Sequence, residues 1–208
     1  MTDILDLFKS EKGKQLIKNA STDTGASEEK TASVLKTAMP LLLSAMQKNA
    51  QSPEGASNLL SALSGKHDGS LLDNLGSMLG GSGVDENVKK EGGGILSHLL
   101  GGKQDLIAGQ IAQKLGMESG TVNQILKIAA PVVLSFVGKK KQEHNVDQPG
   151  GLSSLLDKLK GSETGGQNSL ESLLDRDKDG DIMDDVSDFL GKSKGKKNSG
   201  GLGGLFGK

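Results

Sequence analysis

The sequence predicts an all-α fold: a helical bundle of two internally repeated halves, followed by a Gly-rich, partly disordered C-terminal extension. Three observations carry that prediction. One 24-residue segment occurs twice, apolar residues recur at helical spacing, and the 31 glycines cluster between leucine-rich stretches. The chain has no Trp, no Tyr and four Phe, so the core is expected to be aliphatic. The apolar share of 34% is low; with glycine included, an ordinary globular chain has about 45–50%.

The elements follow in order. The opening "MTDILDLFKSEKGK" carries Asp3 and Asp6 and no apolar run of signal-peptide length. "QLIKNASTDTG", residues 15 to 25, reads as a weak, polar helix. The repeat begins at its end. "GASEEKTASVLKTAMPLLLSAMQK" (25 to 48) aligns without a gap on "GMESGTVNQILKIAAPVVLSFVGK" (116 to 139), at an offset of 91. Eight of the 24 positions are identical, among them Gly25/Gly116, Pro40/Pro131 and Ser44/Ser135.

Each copy reads as a turn followed by a long helix. Ser27, or Ser119, is placed to cap it, and Glu28 and Glu29 suit its first turn. Val34, Leu35, Ala38, Leu42 and Met46 recur at helical spacing in one copy; Val122, Ile125, Ala129, Val133 and Phe136 do so in the other. Around residues 41 to 43 and 132 to 134 the helix is apolar on all sides, which makes it central. Pro40 and Pro131 are expected to bend each helix, or to divide it in two. "DLIAGQIAQKLG", residues 105 to 116, is an amphipathic helix before the second copy. Ser52-Pro53-Glu54 is a further helix start.

Leucine–glycine units fill the remainder, at residues 58 to 65, 70 to 81, 94 to 102, 151 to 161, 169 to 174 and 201 to 208. Each amounts to one or two helical turns, too short to be stable alone. They are expected to cover the bundle, to join chains into a homo-oligomer, or to touch a membrane surface. The oligomer reading assigns contacts to leucines such as Leu71, Leu75, Leu99 and Leu155. The expected domains are a duplicated helical bundle over residues 1–147 and an extension over 148–208.

The paired proline helices, "LSALSG", "LSSLLDKLKG", the Gly-rich spacers and "LLDRDKDGD" followed by Asp184-Asp185 together resemble the YidB-like family of small bacterial proteins. The resemblance runs from residue 1 to about residue 190. It implies an all-helical fold and no established activity.

Composition narrows function. The net charge is -1, so no global field draws the chain to nucleic acid, and no Tyr or Trp offers a stacking platform. Nucleic acid is not expected as a partner. There are no cysteines, which excludes disulfides and thiolate chemistry. The apolar run at residues 125 to 137 contains Lys127 and reads as a buried helix, not a transmembrane segment. A cytoplasmic location is the expectation. His67, His98 and His144 lie far apart in sequence, without zinc-ligand spacing. No nucleophile elbow or phosphate-binding glycine motif occurs, so the chain is read as non-enzymatic. "GKKKQ" (138 to 142) and "GKSKGKKNSGG" (191 to 201) read as a solvated helix end and a solubilising tail. Envelope or nucleic-acid binding through these lysines is the alternative.

The specific signal is "DRDKDGDIMDDV", residues 175 to 186. With Asp175 as position one of an EF-hand-like loop, Asp177 is third, Asp179 fifth, Gly180 sixth and Asp181 seventh. Alternate carboxylates converge on one point as such a loop turns, glycine permits the turn, and position seven offers its carbonyl. Val186 stands at position twelve and cannot ligate, so Asp184 or Asp185 is expected to close the shell. One Ca2+ is expected, held by Asp175, Asp177, Asp179, Asp181 and Asp185.

Overall fold

The computed structural model describes residues 4–74 and 84–161, all within a compact unit spanning Met1–Gly166. The described residues contain helices and no strand. In chain order they are α1 (Ile4–Lys9), α2 (Glu11–Thr24), α3 (Glu28–Ala50), α4 (Pro53–Ser64), α5 (Ser70–Asp73), α6 (Glu86–Leu100), α7 (Gln104–Leu115), α8 (Ser119–Glu143) and α9 (Pro149–Gly161).

The duplication sets the architecture. α2 and α7 each end on a glycine in the left-handed region, Gly25 at φ 70° and Gly116 at φ 60°. A side chain there is strained, so glycine at both positions fixes the same turn into the long helix. Lys30 Nζ donates to the Gly116 carbonyl at 3.1 Å, which ties one copy of the turn to the other. The cross-packing is reciprocal: α2 lies on α8, and α7 lies on α3, while α3 and α8 touch each other. Leu42 and Val133 are both buried, so the two long helices are central. Each continues through its proline.

The repeat extends further than ungapped alignment shows. With an offset of 96, Pro53, Gly55, Ser57, Leu59, Leu60, Leu63 and Gly65 match Pro149, Gly151, Ser153, Leu155, Leu156, Leu159 and Gly161. These are α4 and α9. Ala56, Leu59 and Leu63 are buried on one, Leu152, Leu155 and Leu159 on the other. α4 packs on α8, and α9 on α3. Each copy thus ends in a helix that covers the other copy's long helix. The segment 151 to 161 belongs to this bundle, and its leucines face the chain's own core.

Helix strength in the first copy and the helix start in the second depart from the sequence pattern. The first copy's preceding segment is a full helix, α2, held by burial of Leu16 and Ala20 despite its polar sequence. Ser27 caps α3, its Oγ accepting from Lys30 N at 3.2 Å. In the second copy, by contrast, Glu118 takes the cap position without a side-chain bond, and Ser119 is already helical.

α6 is a larger difference. The leucine unit at 94 to 102 is only the end of a 15-residue helix that passes through Gly92, Gly93 and Gly94. Glycine is costly inside a helix, but here it permits contact. A Cβ at Gly92 would collide with the Lys127 carbonyl of α8. Backbone approach to α8 is what the glycine provides.

Candidate functional site: a histidine-walled apolar cleft

α4 ends where Gly65 N donates to Ser61 O at 3.0 Å, and His67 N reaches back to Ala62 O at 3.1 Å. The turn then passes through Gly69, at φ 106°. Asp68 Oδ1 accepts from Ser70 N at 3.0 Å, and that bond holds the Asp68 carboxyl below its usual range. The turn lies directly against α8, since a Cβ at Gly138 would collide with the carbonyl of His67. These contacts press the His67 ring into the protein, leaving the residue 5% exposed.

His67 forms one wall of a cleft of about 230 Å³. Leu59 and Ala62 of α4, Ile95 and Leu99 of α6 and Leu134 of α8 give it an apolar lining; Asn58 and His98 stand at its exposed rim. His67 Nε2 lies 3.7 Å from Glu91 Oε1. Its Nδ1 is buried and has no hydrogen-bond partner. Burial lowers the His67 pKa, against the opposing pull of Glu91, so the ring is neutral at pH 7.

The lysine cluster at the end of α8 departs from the expected solvated helix end. Lys140 and Lys141 are buried along their stems. Lys140 Nζ reaches Glu143 at 2.6 Å and lies 5.8 Å from the Phe136 ring centroid; Lys141 Nζ reaches Asp147 at 3.2 Å. Lys139 is the exposed member, 3.9 Å from Asp73, which also pairs with Lys12 at 2.7 Å. Through Asp73, Lys12 and Lys139 fasten α2, α5 and the end of α8 together. A second tie, Asp23 to Lys89 at 3.1 Å, links α2 to α6, and Asp23 also accepts from Val84 N at 3.1 Å.

The residues expected to hold calcium, Asp175, Asp177, Asp179, Asp181 and Asp185, lie outside the described residues, as do the second lysine cluster and Leu75. Among the described residues, no three His, Asp or Glu side chains assemble as a metal site. Leu71, Leu99 and Leu155, expected at an oligomer contact, are buried within the chain's own bundle. In sequence His67 is weighed only as a zinc ligand, because a lone histidine between Lys66 and Asp68 shows neither its burial nor its missing partner.

One described helix, α8, has the length and hydropathy of a membrane span, but 72% of its most apolar window is buried inside the bundle. It is a core helix. The class defined here is therefore a duplicated all-helical bundle whose halves exchange covering helices. The chain belongs to the family described as bacterial protein of unknown function (DUF937), whose model matches residues 6–140 and 143–208. No curated protein and no solved structure matches it.

Proposed function

We propose that this is a non-enzymatic structural or interaction protein, whose helical bundle carries a C-terminal segment ordered by calcium. The carrying observation is the spacing of Asp175, Asp177, Asp179, Gly180 and Asp181. Hard oxygen ligands at alternate positions, with glycine at the turn, suit a cation that takes six to eight oxygens. Asp184 or Asp185 closes the shell in place of Val186. A cytoplasmic location belongs to the same reading.

The bundle's own chemistry is consistent with this role. Its charged groups serve helix ties, such as Lys12–Asp73 and Lys89–Asp23. The burial of Lys140 and Lys141 removes two members of the cluster on which phosphate binding would rest. Self-association belongs to the proposal in an altered form. With Leu71, Leu99 and Leu155 covered within the chain, association would use other leucines.

Calorimetric titration of the full chain with CaCl2 tests the reading and is expected to give about one site per chain. Light scattering with and without calcium tests the association. No heat at millimolar calcium, or unchanged binding in the Asp177→Ala, Asp179→Ala double variant, defeats the calcium assignment. A monomeric mass over a hundredfold concentration range defeats self-association.

A further inference from the structure

The turn from Gly65 to Gly69 holds a titratable ring where only its neutral form fits. His67 is nearly buried, and its Nδ1 is closed off from solvent without a hydrogen-bond partner. Nε2 lies 3.7 Å from Glu91 Oε1, longer than a good hydrogen bond. A neutral imidazole brings one N–H to this place; an imidazolium brings two, and a full charge. Glu91 can receive one of them, and among the described residues nothing receives the other. A buried donor without an acceptor is costly, and so is taking a charge out of water.

The surroundings do little to offset that cost. Glu91 of α6 is the carboxylate against the ring, and His98 of the same helix stands at the rim of the cleft. Lys66 and Asp68 flank His67 with opposite charges. What α4 and α8 add to the cleft is uncharged, Leu59, Ala62 and Leu134, and Lys139 of α8 lies against Gly69. Burial therefore outweighs the pull of Glu91 and weakens the ring's hold on a proton. Packing at Gly138 and Lys139 presses the turn on α8, whereas its backbone bonds run back to α4, from Gly65 N to Ser61 O and from His67 N to Ala62 O. The turn therefore lifts as a flap hinged on α4. α5 follows directly, packs on α8 and buries Leu71 and Leu72. We propose that residues 65–69 are an acid-released latch: protonation of His67 sends its ring into water, lifts the turn from Gly138 and frees α5, uncovering Leu71 and Leu72.

The latch needs neither calcium nor the C-terminal segment. Because the closed ring binds a proton less well than the open one, the latch stays shut above about pH 6.5, the ordinary histidine midpoint, and weakens as pH falls below it. Site-resolved hydrogen exchange of the full chain from about pH 7.5 to about pH 5, corrected for the intrinsic rates, reads this local opening. Protection at the amides of His67 and Leu72 is expected to fall about tenfold per pH unit, the slope for uptake of one proton, while Val34 to Met46 of α3 hold theirs. In the same range the His67 ring is expected to titrate at lower pH in the folded chain than in urea. His67→Phe is expected to remove the pH dependence. Glu91→Gln is expected to keep it and carry it to lower pH, since the closed ring loses its counter-charge. Protection that is flat with pH overturns the proposal, as does a fall shared equally by α3, which is unfolding of the whole bundle. So does a pH dependence that survives in His67→Phe, or one that vanishes in Glu91→Gln and so assigns the proton to Glu91. The first two outcomes come from the unaltered protein, so a variant that fails to fold leaves the test intact.

Discussion

The two long helices, α3 and α8, descend from one repeated segment but occupy different surroundings. In α8, every residue from Ile128 to Gly138 is buried; in α3, Lys36 is exposed, and Pro40 and Ser44 are half-buried. Neighbours make the difference. α8 is covered by the 15-residue α6, whose Gly92 meets it backbone to backbone, and by the turn carrying His67, which meets it at Gly138. α1, which precedes α2 as α6 precedes α7, is six residues long. The position matching Gly138 in the first copy is Gln47, which hydrogen-bonds Asp157 on α9. Both copies of the duplicated element are central, but the second is more completely enclosed than the first. Glycines at the contacts, Gly92 on α6 and Gly138 on α8 itself, permit that closer enclosure.

The comparison can be broken most severely by removing a covering helix. Ending the chain after Asp147 deletes α9 and with it buried Leu152, Leu155, Leu156 and Leu159. Each buried leucine is worth about 1.5–3 kcal/mol, and four of them rival the whole stability of a domain, about 5–15 kcal/mol. Residues 1–147 are expected to lose the cooperative thermal transition that residues 1–166 retain. An equally sharp transition in the shorter chain would mean that the second copy does not need its fourth helix.

Next in size is a single methyl group. Gly138→Ala places a Cβ against the carbonyls of His67 and Leu63. Overpacking against backbone, which cannot rotate away, is expected to cost about 3 kcal/mol. Gln47→Ala at the matching position is expected to cost about 0.5 kcal/mol. Urea unfolding of the pair measures the contrast directly, and equal costs would show that the two long helices are equally enclosed.

Helix caps give a smaller contrast. Ser27→Ala removes the Oγ that accepts from Lys30 N and is expected to lower stability by about 1 kcal/mol. Ser119→Ala removes a side chain with no cap role and is expected to change little. Thermal melts of both variants separate the copies, and a comparable loss at Ser119 would restore the cap read from the sequence.

The sequence made the long helices and their turns legible because identity and helical period agree over 24 aligned positions. Other features were hidden for separable reasons. The α4–α9 equivalence needs five extra residues before the second helix, which shifts the offset from 91 to 96 and defeats ungapped comparison. α6 was obscured by three consecutive glycines, since propensity opposes a helix where close packing on Lys127 requires one. Lys140 and Lys141 looked solvated because charge in a sequence says nothing of a buried stem. The leucine–glycine units gave away an apolar face, whereas the surface covering that face became visible only in the fold. The site was least legible: the candidate aspartates lie outside the described residues, and His67 derives its character from a turn held against α8.

The smallest contrast lies at one buried side chain. Thr31 in α3 is fully buried, and its Oγ1 has no hydrogen-bond partner. The matching residue in α8 is Val122, equally buried, which has nearly the same shape and no polar atom. Thr and Val have similar helix propensity, so exchanging them leaves the backbone preference almost unchanged. What changes is the desolvation of the hydroxyl, which in Thr31 no bond offsets. Thr31→Val is therefore expected to stabilise the protein by about 1 kcal/mol, and Val122→Thr to destabilise it by about 1–2 kcal/mol. Both follow from chemical unfolding at neutral pH, with the midpoint moving at constant slope. A lower midpoint for Thr31→Val would mean that the hydroxyl has a partner in solution, and that this position in the first copy has a polar use the second copy lacks.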